Sequence, residues 1–232
     1  GPTLEPEEVQ ELVYTILTDD QKREFETKLE LDLAFSIEGV SRYRINVFRQ
    51  RECVGMNARA IPFKISTIEE IHMPAMVKDF CFRPRGMVLI TGPTGCGKST
   101  SLAAMIHYIN ERRSVHIVTI EDPIEFVHED KMALINQRER GTDTHEFANA
   151  LRHVTRQDPD VILVGEMRDL ETIQLAVTCA ETGHLVFGTL HTTDACQTVD
   201  RIIDAFPPHQ QMQIRTQLSA NLVGIISQVL LK

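Results

Sequence analysis

The run GPTGCGKST at residues 92–100 constrains this chain more than any other stretch. It follows the apolar Met87-Val88-Leu89-Ile90 and leads into SLAAMIHYI at 101–109, whose apolar residues recur at helical spacing. Strand, glycine-rich turn and helix, in that order, are the context of a phosphate-binding loop. Gly92, Gly95 and Gly97 carry no Cβ, so the backbone can turn tightly and aim its N–H groups inward, at the positive end of the following helix. Pro93, Thr94, Cys96 and Thr100 complete the loop. In this frame Lys98 reaches the β- and γ-phosphates of a nucleotide, and the Ser99 hydroxyl coordinates Mg²⁺.

The pattern around the loop predicts the fold class. Apolar runs at 87–91, 115–120, 161–164 and 185–190 alternate with helical stretches at 99–112, 144–156, 170–181, 194–205 and 208–229. Strands separated by helices read as a parallel sheet covered on both faces, an α/β domain. Upstream the pattern differs. Residues 6–17 and 19–29 read as helices, and 30–37, 42–49 and 51–61 as strands, a small α+β domain. Phe48 interrupts the polar face of the second strand, and Gly55 weakens the third. Gly39-Val40-Ser41 reads as a turn. The expected division is an N-terminal domain over 1–61, a linker with a short helix over 62–86 and a nucleotide domain over 87–232. A hinge is expected near Ile61-Pro62.

Other residues that can carry chemistry cluster at strand ends, where ligands bind in such sheets. Glu166 follows the apolar Val161-Ile162-Leu163-Val164 and would hold the Mg²⁺ shell, in part through water. Glu121-Asp122-Pro123-Ile124-Glu125 follows another strand. Its three acids could orient or deprotonate an attacking water, with Glu125 favoured as general base and Glu121 or Asp122 as support, although their positions alone do not rank the three. His191 closes the strand LVFGTL and could sense the γ-phosphate and report it to a neighbouring subunit, whereas His184 at the opposite end reads as structural. His107, His128, His145 and His209 read as surface residues. Arg44 and Arg59 lie in the N-terminal domain, from which either could reach a γ-phosphate on a neighbouring protomer. Arg152, Arg156 and Arg168 flank the acids and suit structural ion pairs.

Composition narrows the classes. A formal net charge of −9 disfavours broad nucleic-acid binding. Five cysteines with no C-x-x-C pair support neither a disulfide framework nor a zinc ribbon, and a thiol inside the phosphate loop suits a reducing cytosol. No apolar run approaches the ~18 residues of a membrane span, so membrane association is expected only through partners.

Four motifs thus stand in order: GPTGCGKST at 92–100, TIEDPIEF at 119–126, VILVGEMRD at 161–169 and TGHLVFGTLHT at 182–192. The set resembles the Walker A, Asp box, Walker B and His box of the type II/type IV secretion ATPases, and most of all the type IV pilus retraction ATPases. The stretches LAAMIHYINE, FANALR, DLETI and HTTDACQTVDRIIDAFP add to the resemblance, which covers nearly the whole chain. It implies a RecA-like core with a PAS-like N-terminal domain. It also implies a homo-hexameric, cytoplasmic ring at the inner face of the inner membrane that hydrolyses ATP with Mg²⁺. That ring would draw pilin back through an inner-membrane platform protein and bind no nucleic acid. It implies Glu125 as catalytic glutamate, Glu166 as the Walker B acid, His191 as the His-box histidine, and Arg44 and Arg59 as arginines acting on a bound nucleotide. Members of that family usually begin with further elements and continue into a helical region with an A-I-R-x-E motif, which is absent from these residues. Extension and secretion ATPases of the same superfamily typically carry a four-cysteine zinc element. Its absence favours retraction over extension, the presence of Glu125, Glu166 and His191 argues against a regulatory subunit that barely turns ATP over, and the acidic balance disfavours a nucleic-acid translocase. Lys98→Ala is expected to abolish tight nucleotide binding. Unchanged affinity in a titration with a fluorescent ADP analogue would remove the phosphate-loop assignment.

Overall fold

The computed structural model describes residues 3–37, 40–61 and 64–230. The chain divides into two compact units between Lys64 and Ile65.

The first unit holds α1 (Pro6–Thr15), α2 (Asp19–Lys28) and an antiparallel sheet of β1 (Glu30–Ile37), β2 (Ser41–Gln50) and β3 (Cys53–Ile61) in the order β1-β2-β3. Pro6 suits the first helical position because its missing N–H has no intrahelical partner there, and Glu5 N donates to Glu8 Oε2 at 2.8 Å. Thr18 and Gln21 cap α2 reciprocally, each backbone N–H donating to the other's side chain. The core joins Val13, Leu17 and Phe25 of the helical half to Leu31, Ile45, Val47 and Val54 of the sheet. The two irregularities in the strand pattern answer each other. Phe48 pairs with Gly55 across β2 and β3, and a Cβ on Gly55 would lie 2.8 Å from the Phe48 ring, which covers the glycine. The expected turn at 39–41 and hinge at 61–62 fall in part on Gly39 and Pro62, outside the described residues.

The second unit contains α3 (Met76–Cys81), β4 (Gly86–Thr91), α4 (Lys98–Asn110), β5 (His116–Glu121), β6 (Leu134–Glu139), α5 (Phe147–Val154), β7 (Val161–Val164), α6 (Leu170–Glu181), β8 (Leu185–Leu190), α7 (Ala195–Asp204), α8 (Gln211–Asn221) and β9 (Leu222–Ser227). Its sheet has the order β6-β5-β7-β8-β4-β9, and every pair is parallel. Strands β4, β7 and β8 are buried along their whole length, which is why they are almost uniformly apolar. Alternate residues feed two cores. Met87, Leu89, Ile162, Val164 and Val186 pack with residues of α5 to α8 on one face. Val88, Ile90, Val161, Leu163 and Phe187 pack with residues of α3 and α4 on the other. Ile68, Val77 and Cys81, from the stretch read as linker, are buried in this second core.

Two elements correct the sequence reading. The helical stretch expected over 208–229 is helix only to Asn221; from Leu222 it becomes β9, paired with β4. The apolar spacing of Leu222, Val223, Ile225 and Ile226 suits either element, and the open edge of β4 decides between them. Strand β6 was not anticipated, because LINQRE offers only two apolar residues. It is an edge strand, and aspartates close two of its backbone donors: Ile135 N donates to Asp130 Oδ1 at 2.9 Å and Glu139 N to Asp143 Oδ2 at 2.8 Å.

Candidate functional site

Parallel pairing sends the chain out of the sheet along one edge, so Gly92, Asp122, Gly165 and His191 emerge side by side after β4, β5, β7 and β8. With strands about 4.8 Å apart, His191 lies one strand from the phosphate loop, Glu166 two and the acidic turn three.

The loop has the backbone its glycines allow. Gly92, Gly95 and Gly97 take φ values of 142°, 80° and 93°, a region costly for residues with a Cβ. A side chain at Gly92 would also lie 2.3 Å from Gln228 O and 2.7 Å from Cys96 Sγ. The residue after β9 therefore backs the loop: Gln228 N donates to Thr91 O at 2.8 Å, and its side-chain amide donates to Ser101 Oγ at 2.9 Å. Lys98 opens α4 and folds over the loop, its ammonium donating to Gly92 O at 2.8 Å and Pro93 O at 3.1 Å. Ser99 and Thr100 are half-buried in the first turn of α4, Cys96 is buried, and Pro93 and Thr94 are exposed.

Glu166 and His191 meet directly. His191 Nε2 lies 2.8 Å from Glu166 Oε1, and Arg168 Nε reaches the same oxygen. This contact places the imidazole proton on Nε2. The three side chains, with Arg201, line a cavity of about 540 Å³. Arg168 and Arg152 make the ion pairs their positions suggested, with Glu166 and Glu171. His184 is structural: its Nδ1 lies 2.9 Å from Cys179 O.

The acidic turn separates its three carboxylates. Glu121 is turned inward, where Thr119 Oγ1 donates to it at 2.6 Å and Gln137 Nε2 at 3.1 Å. Burial pushes its pKa up, the charges of Glu125 and Glu139 add to the rise, and the two donated bonds oppose it. Asp122 pairs with Arg140 at 2.8 Å. Glu125 is exposed and makes no hydrogen bond or ion pair among the described residues. The sequence reading missed the residues that support this turn, which lie on β6 and just after it. Gln137 Nε2 donates to Phe126 O at 2.9 Å, His128 N donates to Gln137 Oε1 at 2.8 Å, and Ile124 N donates to Glu139 Oε2 at 3.0 Å. The polar run NQRE was their only trace in the sequence.

Arg44 and Arg59 belong to the first unit and stand directly opposite each other across β2 and β3, both exposed. Like charges so placed are unfavourable for the sheet itself. Among the histidines expected at the surface, His145 and His209 are exposed. His107 and His128 are instead half-buried. His107 lies 3.3 Å from Glu111, and His128 Nδ1 is inaccessible and makes no hydrogen bond among the described residues.

A glycine-rich loop between a buried parallel strand and a helix, with carboxylates at the ends of neighbouring strands, defines a P-loop protein of the α/β class. Comparison with known proteins narrows this. The profile of the Type II/IV secretion system protein family matches residues 57–232. The chain is 54% identical over its full length to the type IV pilus retraction ATPase PilT of Pseudomonas aeruginosa, covering 67% of that protein. It is 53% identical to a twitching motility protein of Neisseria gonorrhoeae, covering 62% of it. Among solved structures, the pilus retraction motor PilT with bound ADP superposes with a TM-score of 0.94 at 51% identity, covering 96% of this chain and 65% of that one. The chain belongs to the Type II/IV secretion system protein family, and it spans about two thirds of the length of these relatives.

Burial holds the His128 pKa down to about 4, with a smaller contribution from the charge of His107. The folded state therefore resists a proton that the unfolded chain accepts below its ordinary value of about 6.5. Stability is unaffected by this group above that value and falls as pH drops from there toward 4. His128→Phe is expected to flatten urea-derived stability across that window by up to about 1.4 kcal/mol per pH unit, with little change at pH 8. An unaltered pH slope would contradict the assignment.

Proposed function

We propose that this chain is the catalytic body of an ATP-hydrolysing motor that powers type IV pilus retraction, working as a homo-hexamer at the cytoplasmic face of the inner membrane against a pilus platform protein. The observation that carries this reading is the sheet edge that aligns the phosphate loop, His191, Glu166 and the acidic turn, in a chain 54% identical to a pilus retraction ATPase. No helix among the described residues is long and apolar enough to cross a membrane.

The donor set fits a nucleoside triphosphate with Mg²⁺. Three positive-φ glycines and the N-terminal turn of a 13-residue helix supply backbone N–H groups for phosphate, and Lys98, folded onto the loop carbonyls, adds a cation there. The Ser99 hydroxyl and the Glu166 carboxylate, partly through water, would hold the metal, whose charge would offset that of the phosphates. Glu125 alone among the three acids of its turn lacks a partner, which supports it as the general base: Asp122 is already paired to Arg140 and Glu121 already accepts from Thr119 and Gln137, whereas the Glu125 carboxylate is free to engage a water. His191, bonded to Glu166, is placed to link the state of that carboxylate to the segment after β8. Arg44 and Arg59 are assigned as charge-stabilising residues for a nucleotide on a neighbouring protomer. Two exposed arginines kept opposite each other at a cost to the sheet support a role outside folding.

Glu125→Gln is expected to bind ADP normally and to hydrolyse ATP at least ~100-fold more slowly. Turnover near wild type would move the base to another acid. ATPase rate per subunit, measured against protein concentration with mass determined at each point, is expected to rise as hexamers form and to lose that rise in Arg44→Ala or Arg59→Ala. A flat rate in monomers would argue for a self-sufficient site.

A further inference from the structure

The polar edge strand β6 makes contacts that its place in the sheet does not require. Residues at the end of such a strand need only fill space or face solvent, yet three polar residues, Gln137, Glu139 and Arg140, reach the acidic turn. Gln137 uses its whole amide there: Nε2 donates to Glu121 Oε1 at 3.1 Å and to Phe126 O at 2.9 Å, and Oε1 accepts from His128 N at 2.8 Å. Glu139, itself buried, accepts from Ile124 N at 3.0 Å. Arg140, just past the strand, holds Asp122 at 2.8 Å.

The bonds bracket one residue. The N–H of Ile124 and the carbonyl of Phe126 flank Glu125 on either side, and both are tied to β6, while the Glu125 carboxylate is left exposed and unpaired among the described residues. The backbone that carries this side chain is thus fixed from a strand hydrogen-bonded to β5, and the side chain itself is not engaged. A turn that needed only to close a loop would gain nothing from leaving its central acid free. Neither neighbouring acid can take its place without breaking a bond: Glu121 is held by Thr119 and Gln137, and Asp122 by Arg140.

We infer that β6 is the positioning element for Glu125, and that Gln137 is its positioning residue, holding the turn so that the free carboxylate is presented to the water it activates. This rests on the assignment of Glu125 as general base. The Gln137 amide bonds Glu121 and the peptide groups of Phe126 and His128, so it acts through the backbone beside Glu125.

The test uses the whole chain, with ATP turnover and ADP binding measured together. Gln137→Met keeps the length of the side chain and removes all three bonds. It is expected to lower kcat roughly 10- to 100-fold, as misplacement of a catalytic group by about an ångström does, while KM for ATP and Kd for ADP stay within about threefold. In a Glu125→Gln background the same substitution is expected to add less than about twofold, because the group it positions is already gone. Peptide hydrogen exchange over 122–128 is expected to quicken in Gln137→Met, reporting the lost bond to the His128 amide. Gln137→Asn, one methylene too short to reach all three partners, serves as a second variant should Met not fold, and the same split is expected. Wild-type kcat in both variants, with Glu125→Gln inactive, would overturn the positioning role and leave the base assignment standing. A loss of equal size on top of Glu125→Gln, or one confined to KM and ADP affinity, would also overturn it. Wild-type turnover in Glu125→Gln itself would overturn both assignments.

Discussion

Parallel backbone pairing is the constraint on which the rest of the second unit depends. A parallel ladder satisfies each strand's peptide groups only when all strands run the same way, so their carboxyl ends share an edge. The buried apolar strands make that arrangement compulsory, since none could leave the core without exposing a uniformly apolar run. The polar residues after each strand are then neighbours although 99 positions separate Gly92 from His191. Chemistry at this edge is a by-product of how the core hides.

Within that edge, proximity is shared out by sterics and charge. Gly92 must be glycine because the backbone of Gln228 occupies the place a side chain would take, so the last strand of the sheet shapes the first loop of the site. On the other side of β4, His191 and Arg168 converge on a single oxygen of Glu166 and restrict how that carboxylate can turn. A carboxylate with one oxygen already engaged keeps its other oxygen for a new partner, a division suited to a site that must be organised before its ligand arrives.

The acidic turn shows the same economy in electrostatic form. Three carboxylates lie within five residues, and left alike they would repel one another. Their environments differ instead. Glu121 is desolvated and its proton affinity rises, Asp122 is neutralised by Arg140, and Glu125 faces solvent. Carboxylates set in such different surroundings need not share a role, and only the exposed one has both oxygens unengaged among the described residues.

Much of this was legible in the sequence because it is local. Phosphate-loop spacing, the apolar runs of β4, β5, β7 and β8 and the amphipathic helices between them depend on residues a few positions apart, where periodicity and glycine chemistry act directly. The motifs put the phosphate loop, the acidic turn, Glu166 and His191 after the apolar strands, and in the structure these residues follow β4, β5, β7 and β8. What stayed hidden was non-local. LVGIIS suits a helix or a strand equally until β4 offers an open edge, and LINQRE looks like a loop until β5 recruits it. The pairing of Arg44 with Arg59 and the choice among Glu121, Asp122 and Glu125 likewise depend on partners distant in the chain. The sequence alone determined the phosphate-binding loop, the alternation of strands and helices and the family of the site. Only the tertiary structure decided strand order, the last and outermost strands, and which acid stands free. Those outcomes are set by hydrogen-bond satisfaction and desolvation between segments far apart in the chain, which no local pattern encodes.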